Sequence, residues 1–111
     1  MADSVALGGI NMEAKAKYAN EINAVISEIN KHLKDDPHFG SVFVYEDSYR
    51  KRLDFNGVLK EVPNYAYTSV SIPYKEVHRT DDVLLQFLKS WKKSTREQAS
   101  IDSFKRFVSS W

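Results

Sequence analysis

The sequence predicts an α+β domain in which an N-terminal helix, a four-stranded antiparallel meander and two C-terminal helices pack on one core. Apolar residues recur at helical spacing in the first and last thirds of the chain, whereas the middle third alternates and is interrupted by turn-forming residues. Because 42% of the 111 residues are hydrophobic, the chain can bury a sizeable core as one domain.

We expect a flexible N-terminal segment over residues 1–11 and a single domain over residues 12–111. The segment is rich in small residues and lacks the basic region and apolar run of a signal peptide. From Met12 to Lys34 the apolar spacing predicts a helix, with Asn11 as its N-cap. Pro37 ends this helix, because proline disfavours helical geometry in the residue before it.

The middle of the chain is expected to form four strands. They span residues 41–47, 49–55, 58–62 and 65–74. Asn56-Gly57 predicts a two-residue type I′ hairpin turn between the second and third strands, because both turn positions need positive φ. Pro73 has no backbone N–H to donate, so we expect it at a sheet edge or at the end of the last strand.

The last third of the chain predicts two helices that meet near Ser94. The first begins with Thr-Asp-Asp at residues 80–82, which caps the helix and places negative charge at its positive end. Its apolar face lies roughly 180–200° from that of residues 101–111, so one straight helix cannot bury both. Ser94-x-x-Glu97 is a capping-box pattern that provides the break. The alternative is one continuous helix whose second face contacts another subunit.

The apolar residues that face one another in this arrangement define the expected core. Aromatic residues make up 13% of the chain, so large rings are expected to dominate it. The expected core residues are Tyr18, Ile22, Ile26, Ile29, Leu33, Val42, Val44, Leu53, Phe55, Val70, Ile72, Leu84, Phe87, Leu88, Trp91, Phe104 and Phe107.

Four cations in the segment LKSWKKSTREQ form a candidate binding surface, which we call the basic stripe. On a helix, Lys89, Lys92, Lys93 and Arg96 fall within an arc of roughly 100°. Residues 88–111 carry six Lys or Arg against two Asp or Glu, a balance of +4, within a chain whose net charge is +1. This pattern indicates contact with phosphates or with an acidic protein surface. The alternative is a solvated helix face whose cations suit the negative end of the helix.

Two further surfaces are suggested by the strands. Arg50 and Arg52 share one face of the second predicted strand, where they can grip a phosphate or carboxylate or belong to a solvated sheet face. In the last predicted strand, Tyr65 and Tyr67 are expected on an outer face together with two serines. Surfaces of Tyr and Ser make adaptable protein contacts, although a covering helix or cross-strand tyrosine pairing also explains the pattern.

No catalytic, cofactor or metal signature is found in the sequence. Cysteine is absent, which excludes disulfides, thiolate metal sites and cysteine nucleophiles. His and Asp cluster at residues 32–38 and 78–82 without a recognised ligand spacing, so helix caps and solvated loops explain both groups. The net charge of +1 argues against a histone-like nucleic-acid binder and against an acidic mimic of DNA.

These observations predict a small non-catalytic protein-interaction module: an adaptor, inhibitor or accessory factor of the kind that phages and mobile elements encode. A larger protein partner is expected, with no cofactor and no membrane partner. The alternative is a nucleic-acid-binding accessory protein that uses the basic stripe with Arg50 and Arg52. We expect a cytoplasmic location, because cysteine is absent and no apolar run reaches membrane-spanning length. A homodimer is also expected, because Trp111 and nearby Phe residues offer aromatic surface.

Overall fold

The computed structural model describes residues 13–111, in which helices pack on one face of an antiparallel sheet. Helix α1 spans Glu13–Lys17 and α2 spans Ala19–Leu33, so the predicted N-terminal helix is present with a local break at Tyr18. A helical hydrogen bond still reaches the break, because the N–H of Tyr18 donates to the carbonyl of Ala14. The expected flexible segment and Asn11, the expected N-cap of the first helix, lie outside the described residues.

Within residues 13–111 the sheet contains three strands, which are β1 (Phe39–Asp47), β2 (Arg52–Leu59) and β3 (Thr68–Pro73) in the order β1-β2-β3. The prediction of four strands is therefore wrong. The residues expected to form a hairpin turn, Asn56 and Gly57, lie in the interior of β2 and pair with both neighbouring strands. The turn between β1 and β2 falls at residues 48–51 and overlaps the second predicted strand. Lys51 adopts positive φ in this turn.

The packing around Gly57 explains why glycine occupies a central strand. A Cβ atom at this position would lie 2.8 Å from Cζ of Phe87 and 3.0 Å from two ring atoms of Trp91. Both rings are fully buried, so neither can move away freely. Glycine is needed here because a helix approaches the strand closely, and not because a turn demands positive φ.

The two faces of the sheet differ in character, because paired residues share a face. The face towards the helices carries the apolar rows, such as Val44 paired with Phe55 and Phe55 paired with Val70. The opposite face, which we call the outer face, carries the intervening residues of the three strands. It includes Phe43, Tyr45, Arg52, Asp54, Asn56, Ser69 and Ser71.

The last third of the chain forms two helices, as predicted. After a short 3-10 helix (Tyr74–Glu76), α3 spans Thr80–Thr95 and α4 spans Gln98–Ser109. The N-cap residue of neither helix makes a side-chain cap hydrogen bond, so the threonine cap and the capping box at Ser94 are wrong. The break itself is present, and it allows α4 to turn back and bury Ile101.

Trp91 is the centre of the core and is fully buried. Its ring meets Phe39 edge-on with centroids 5.3 Å apart and Tyr67 edge-on at 6.1 Å, and it lies parallel to Phe87 at 6.5 Å. The indole N–H donates to Oδ2 of Asp36 at 3.2 Å, while Oδ1 of the same carboxylate accepts from two backbone N–H groups. This carboxylate therefore ties the segment after α2 to the middle of α3.

Most of the predicted core is confirmed, and one residue is wrong. Phe107 is exposed because it lies about 120° around α4 from Ile101, the fully buried residue of that helix. The predicted residues that are fully or almost fully buried are Ile22, Ile29, Leu33, Leu53, Phe55, Ile72, Phe87 and Trp91. Those that pack partly buried against them are Tyr18, Ile26, Val42, Val44, Val70, Leu84, Leu88 and Phe104. Buried residues outside the list of expected core residues include Val25, Phe39, Val58, Leu59, Val77 and Val83.

Candidate interaction surfaces

The outer face of the sheet presents two exposed aromatic rings on β1. Phe43 is 45% exposed and Tyr45 is 59% exposed, and the residues between and beside them, Val42 and Val44, point towards the core. On the opposite edge of the same face, β3 contributes exposed hydroxyl groups from Ser69 and Ser71. The face therefore combines aromatic rings on one edge with polar groups on β2 and β3, and such mixed surfaces are found where proteins bind.

Arg52 is held flat against this face by β3. Its Nε donates to the Ser71 hydroxyl at 2.6 Å and an Nη donates to the Ser71 carbonyl at 2.9 Å. Arg50 lies in the turn after β1, where its N–H donates to Asp47 and its guanidinium lies 3.8 Å from the same carboxylate. The prediction that Arg50 and Arg52 share one strand face is therefore wrong, because β2 begins only at Arg52. Arg50 and Arg52 still line one groove.

Tyr67 is a packing residue and not part of an open tyrosine surface. It precedes β3, and its hydroxyl donates to the carbonyl of Ser94 at 2.5 Å. Its ring lies edge-on to Phe104 with centroids 4.9 Å apart. Burial raises the pKa of the Tyr67 phenol above its ordinary value. The predicted Tyr65 and Tyr67 face is therefore wrong for Tyr67, which the terminal helix pair covers.

Tyr65 belongs to a second exposed aromatic group, which we call the terminal aromatic cluster. Its ring meets Trp111 edge-on at 4.6 Å, and Trp111 meets Phe107 at 5.0 Å. Phe107 is 57% and Trp111 is 66% exposed, so the cluster lies on the surface. Helical spacing placed Phe107 and Trp111 on one side of the last predicted helix, but sequence alone did not show that this side faces solvent or that Tyr65 joins it.

The basic stripe is exposed along its whole length. Lys89, Lys92, Lys93 and Arg96 lie on the side of α3 centred roughly 150° from Trp91, which points into the core. Within residues 13–111, none of the four lies within ion-pair distance of an acidic side chain. The stripe is on the helix layer, and the outer face is on the opposite side of the sheet, so the two surfaces point in different directions.

Lys93 also borders an open groove between α3 and α4. The groove has a volume of about 530 Å³ and is lined by Tyr67, Phe104 and three serines as well as by Lys93. A lysine beside hydroxyl groups and an aromatic edge can contact an anionic group that enters the groove. The groove therefore extends the basic stripe towards α4.

Side chains of the histidine and carboxylate group at residues 32–38 make hydrogen bonds within the fold. Asp36 accepts from its neighbours and from Trp91, and a ring nitrogen of His32 lies 2.8 Å from the carbonyl of Glu28. Across residues 13–111 there is no group of three or more His, Asp or Glu side chains placed to hold a metal ion. In the same part of the chain, no helix combines the length and apolar character needed to cross a membrane.

The fold of residues 13–111 is a small α+β domain, and its exposed surfaces include the outer face, the terminal aromatic cluster and the basic stripe. Comparison of the chain with protein-family models, with curated proteins and with solved structures finds no match.

Proposed function

We propose that this protein is a non-catalytic interaction module that binds a larger protein partner through the outer face of its sheet. The observation that carries this proposal is the exposure of Phe43 and Tyr45 on one face of β1. A few residues dominate the binding energy of protein interfaces, and Trp, Tyr and Arg are enriched among them.

The surroundings of the two rings support a protein partner. Arg52 is already fixed by Ser71, so it loses little side-chain freedom when it meets an acceptor on the partner. Ser69 and Ser71 lie at the border of the face, where hydroxyl groups adapt to donors or acceptors. The outer face thus has an aromatic edge on β1 and a polar edge on β3.

The basic stripe contributes to the same function from the opposite side of the domain. Because it points away from the outer face, it steers an acidic region of the partner, or it recruits a second acidic molecule while the outer face is occupied. In the second case the module connects two binding partners. We also propose a cytoplasmic location, which is supported by the absence of cysteine.

The proposal is tested with immobilised protein and an extract of the cells in which the protein is made. The variant Phe43→Ser with Tyr45→Ser removes both rings, and Tyr49→Ser is the matched control, because Tyr49 is 95% exposed in the turn. We expect at least one protein to be retained by wild type and control and lost by the double variant, and then to bind in titration with purified components. If nothing retained depends on the two rings, the proposal is wrong.

A second candidate function is binding of nucleic acid by the basic stripe, and its support is the exposure of four cations without ion-pair partners among the described residues. The test is fluorescence anisotropy with labelled DNA and RNA at two salt concentrations. Phosphate binding through four contacts should weaken by roughly 10²-fold between low and physiological salt. Changing all four cations to Glu should abolish it. Absence of binding at low salt would eliminate this candidate.

A further inference from the structure

Over residues 41–47, the outer edge of β1 contains no proline, no lysine and no bulge. Within the described residues β1 has one neighbour, β2, so its other side carries unpaired backbone groups. Natural edge strands are commonly blocked by lysine, proline or a bulge that interrupts pairing. The other edge strand, β3, is six residues long and ends at Pro73. β1 is nine residues long and contains neither proline nor lysine.

The regular part of β1 has a self-complementary sequence. A register shift between Phe39 and Ser41 leaves the segment Ser41–Asp47 as the regular part, and Val44 is its midpoint. Antiparallel pairing of two copies about a two-fold axis at Val44 therefore overlaps the whole segment. In that register Phe43 of each copy lies directly opposite Tyr45 of the other, and both rings are on the outer face.

The same register keeps like charges apart. Asp47, at one end of β1, lies opposite Ser41 of the second copy, and Glu46 lies opposite Val42. Registers centred one residue away shorten the overlap and place either Phe43 or Tyr45 opposite its own copy, so only one of the two rings finds an aromatic partner. Aromatic pairing, full overlap and charge separation thus select one register.

We propose that two copies of this chain pair through β1 in an antiparallel two-fold dimer centred on Val44. The product is a continuous six-stranded sheet with the order β3-β2-β1-β1-β2-β3. Two Phe43–Tyr45 pairs lie across the two-fold axis on the outer face. This inference does not depend on the larger partner, because it concerns the purified chain alone.

The first test is sedimentation velocity of the purified full chain across a wide concentration range. Wild type should form a dimer, and Tyr45→Lys should raise its dissociation constant on the order of tenfold or more, because it replaces both aromatic pairs with a charge. Tyr49→Lys is the control and should leave the dimer unchanged, because Tyr49 lies in the turn. A wild-type chain that stays monomeric throughout would overturn the proposal, and so would a dimer that Tyr45→Lys leaves intact.

The second test fixes the register by disulfide cross-linking, which is possible because the chain has no cysteine. Val44→Cys places its sulfur on the two-fold axis, where facing Cα atoms are about 4.5–5.5 Å apart and can be bridged. Val42→Cys is the matched control, because two copies of that residue are separated by roughly 14 Å along the strands. Mild oxidation should give a covalent dimer of Val44→Cys only. Equal cross-linking of both variants would exclude this register, and a monomer whose edge instead binds a different chain would exclude the second copy as occupant.

Discussion

Replacing Gly57 by alanine is predicted to destabilise the protein, although glycine is normally a poor residue for a strand. The added Cβ would meet Cζ of Phe87 at 2.8 Å and two ring atoms of Trp91 at 3.0 Å, whereas ordinary contacts of this kind begin near 3.4 Å. The rings must therefore move by several tenths of an ångström inside a close-packed core. Overpacking of this kind costs about 1–3 kcal/mol.

The gain from a less flexible unfolded chain offsets only part of that cost, by about 0.4–1 kcal/mol. The free energy of unfolding is therefore expected to fall by about 1–2 kcal/mol, which lowers the melting temperature by roughly 4–8 °C. Urea and thermal unfolding followed by far-ultraviolet circular dichroism measure both quantities. A Gly57→Ala protein as stable as wild type would refute the close-approach argument.

A double-mutant cycle with Phe87→Leu separates this clash from a general effect on the strand. Leucine lacks the Cζ atom that the new methyl group would meet at 2.8 Å. Gly57→Ala should therefore cost less in the Phe87→Leu background than in wild type, by about 0.5 kcal/mol or more. Equal costs in the two backgrounds would show that Phe87 does not cause the requirement for glycine.

Three further predictions concern the interior and the helix layer. Asp36→Ala removes the acceptor of the Trp91 indole and of two backbone N–H groups. The free energy of unfolding measured in urea should therefore fall by about 2 kcal/mol, and a fall of less than about 0.5 kcal/mol would contradict this role. Tyr67→Phe removes the hydrogen bond to Ser94 and should cost about 1 kcal/mol at neutral pH. Because burial raises the pKa of Tyr67 in the folded state, the contribution of this tyrosine to the free energy of unfolding is complete below pH 10.0 and is lost as the pH rises through the raised value. If the difference in free energy of unfolding between wild type and Tyr67→Phe stayed constant above pH 10.0, this prediction would be wrong. Changing the whole basic stripe to Glu should alter stability by no more than about 0.5 kcal/mol per site, because its side chains are exposed, and a larger loss would reveal a structural role.

The helices could be predicted from the sequence because their spacing is a local property. The break after Ser94 was also predictable, since two apolar faces on opposite sides cannot both be buried by one straight helix. The strand pattern around Asn56-Gly57 was misleading, because the requirement for glycine comes from Phe87 and Trp91, which lie thirty or more positions later. A local turn preference was overridden by a contact that only the folded chain brings about.

Some features of the candidate surfaces could be predicted from the sequence and others could not. The exposure of the basic stripe follows from helical periodicity around Trp91, so it could be predicted. The role of Tyr67 could not, because its hydroxyl partner is 27 residues away. The alternation of Phe43 and Tyr45 with two valines is visible in the sequence, but which side the helices cover depends on the complete topology.

The chain carries two tryptophans in contrasting environments, so its intrinsic fluorescence can report on two regions of the fold separately. Trp91 is sealed among rings in the core, whereas Trp111 is 66% exposed beside Tyr65. A soluble quencher such as acrylamide reaches Trp111 in the folded protein and reaches Trp91 only after the core opens. Emission from a Trp111→Phe variant therefore reports the interior alone, and a ligand that covers the terminal aromatic cluster shields the second tryptophan without changing the first.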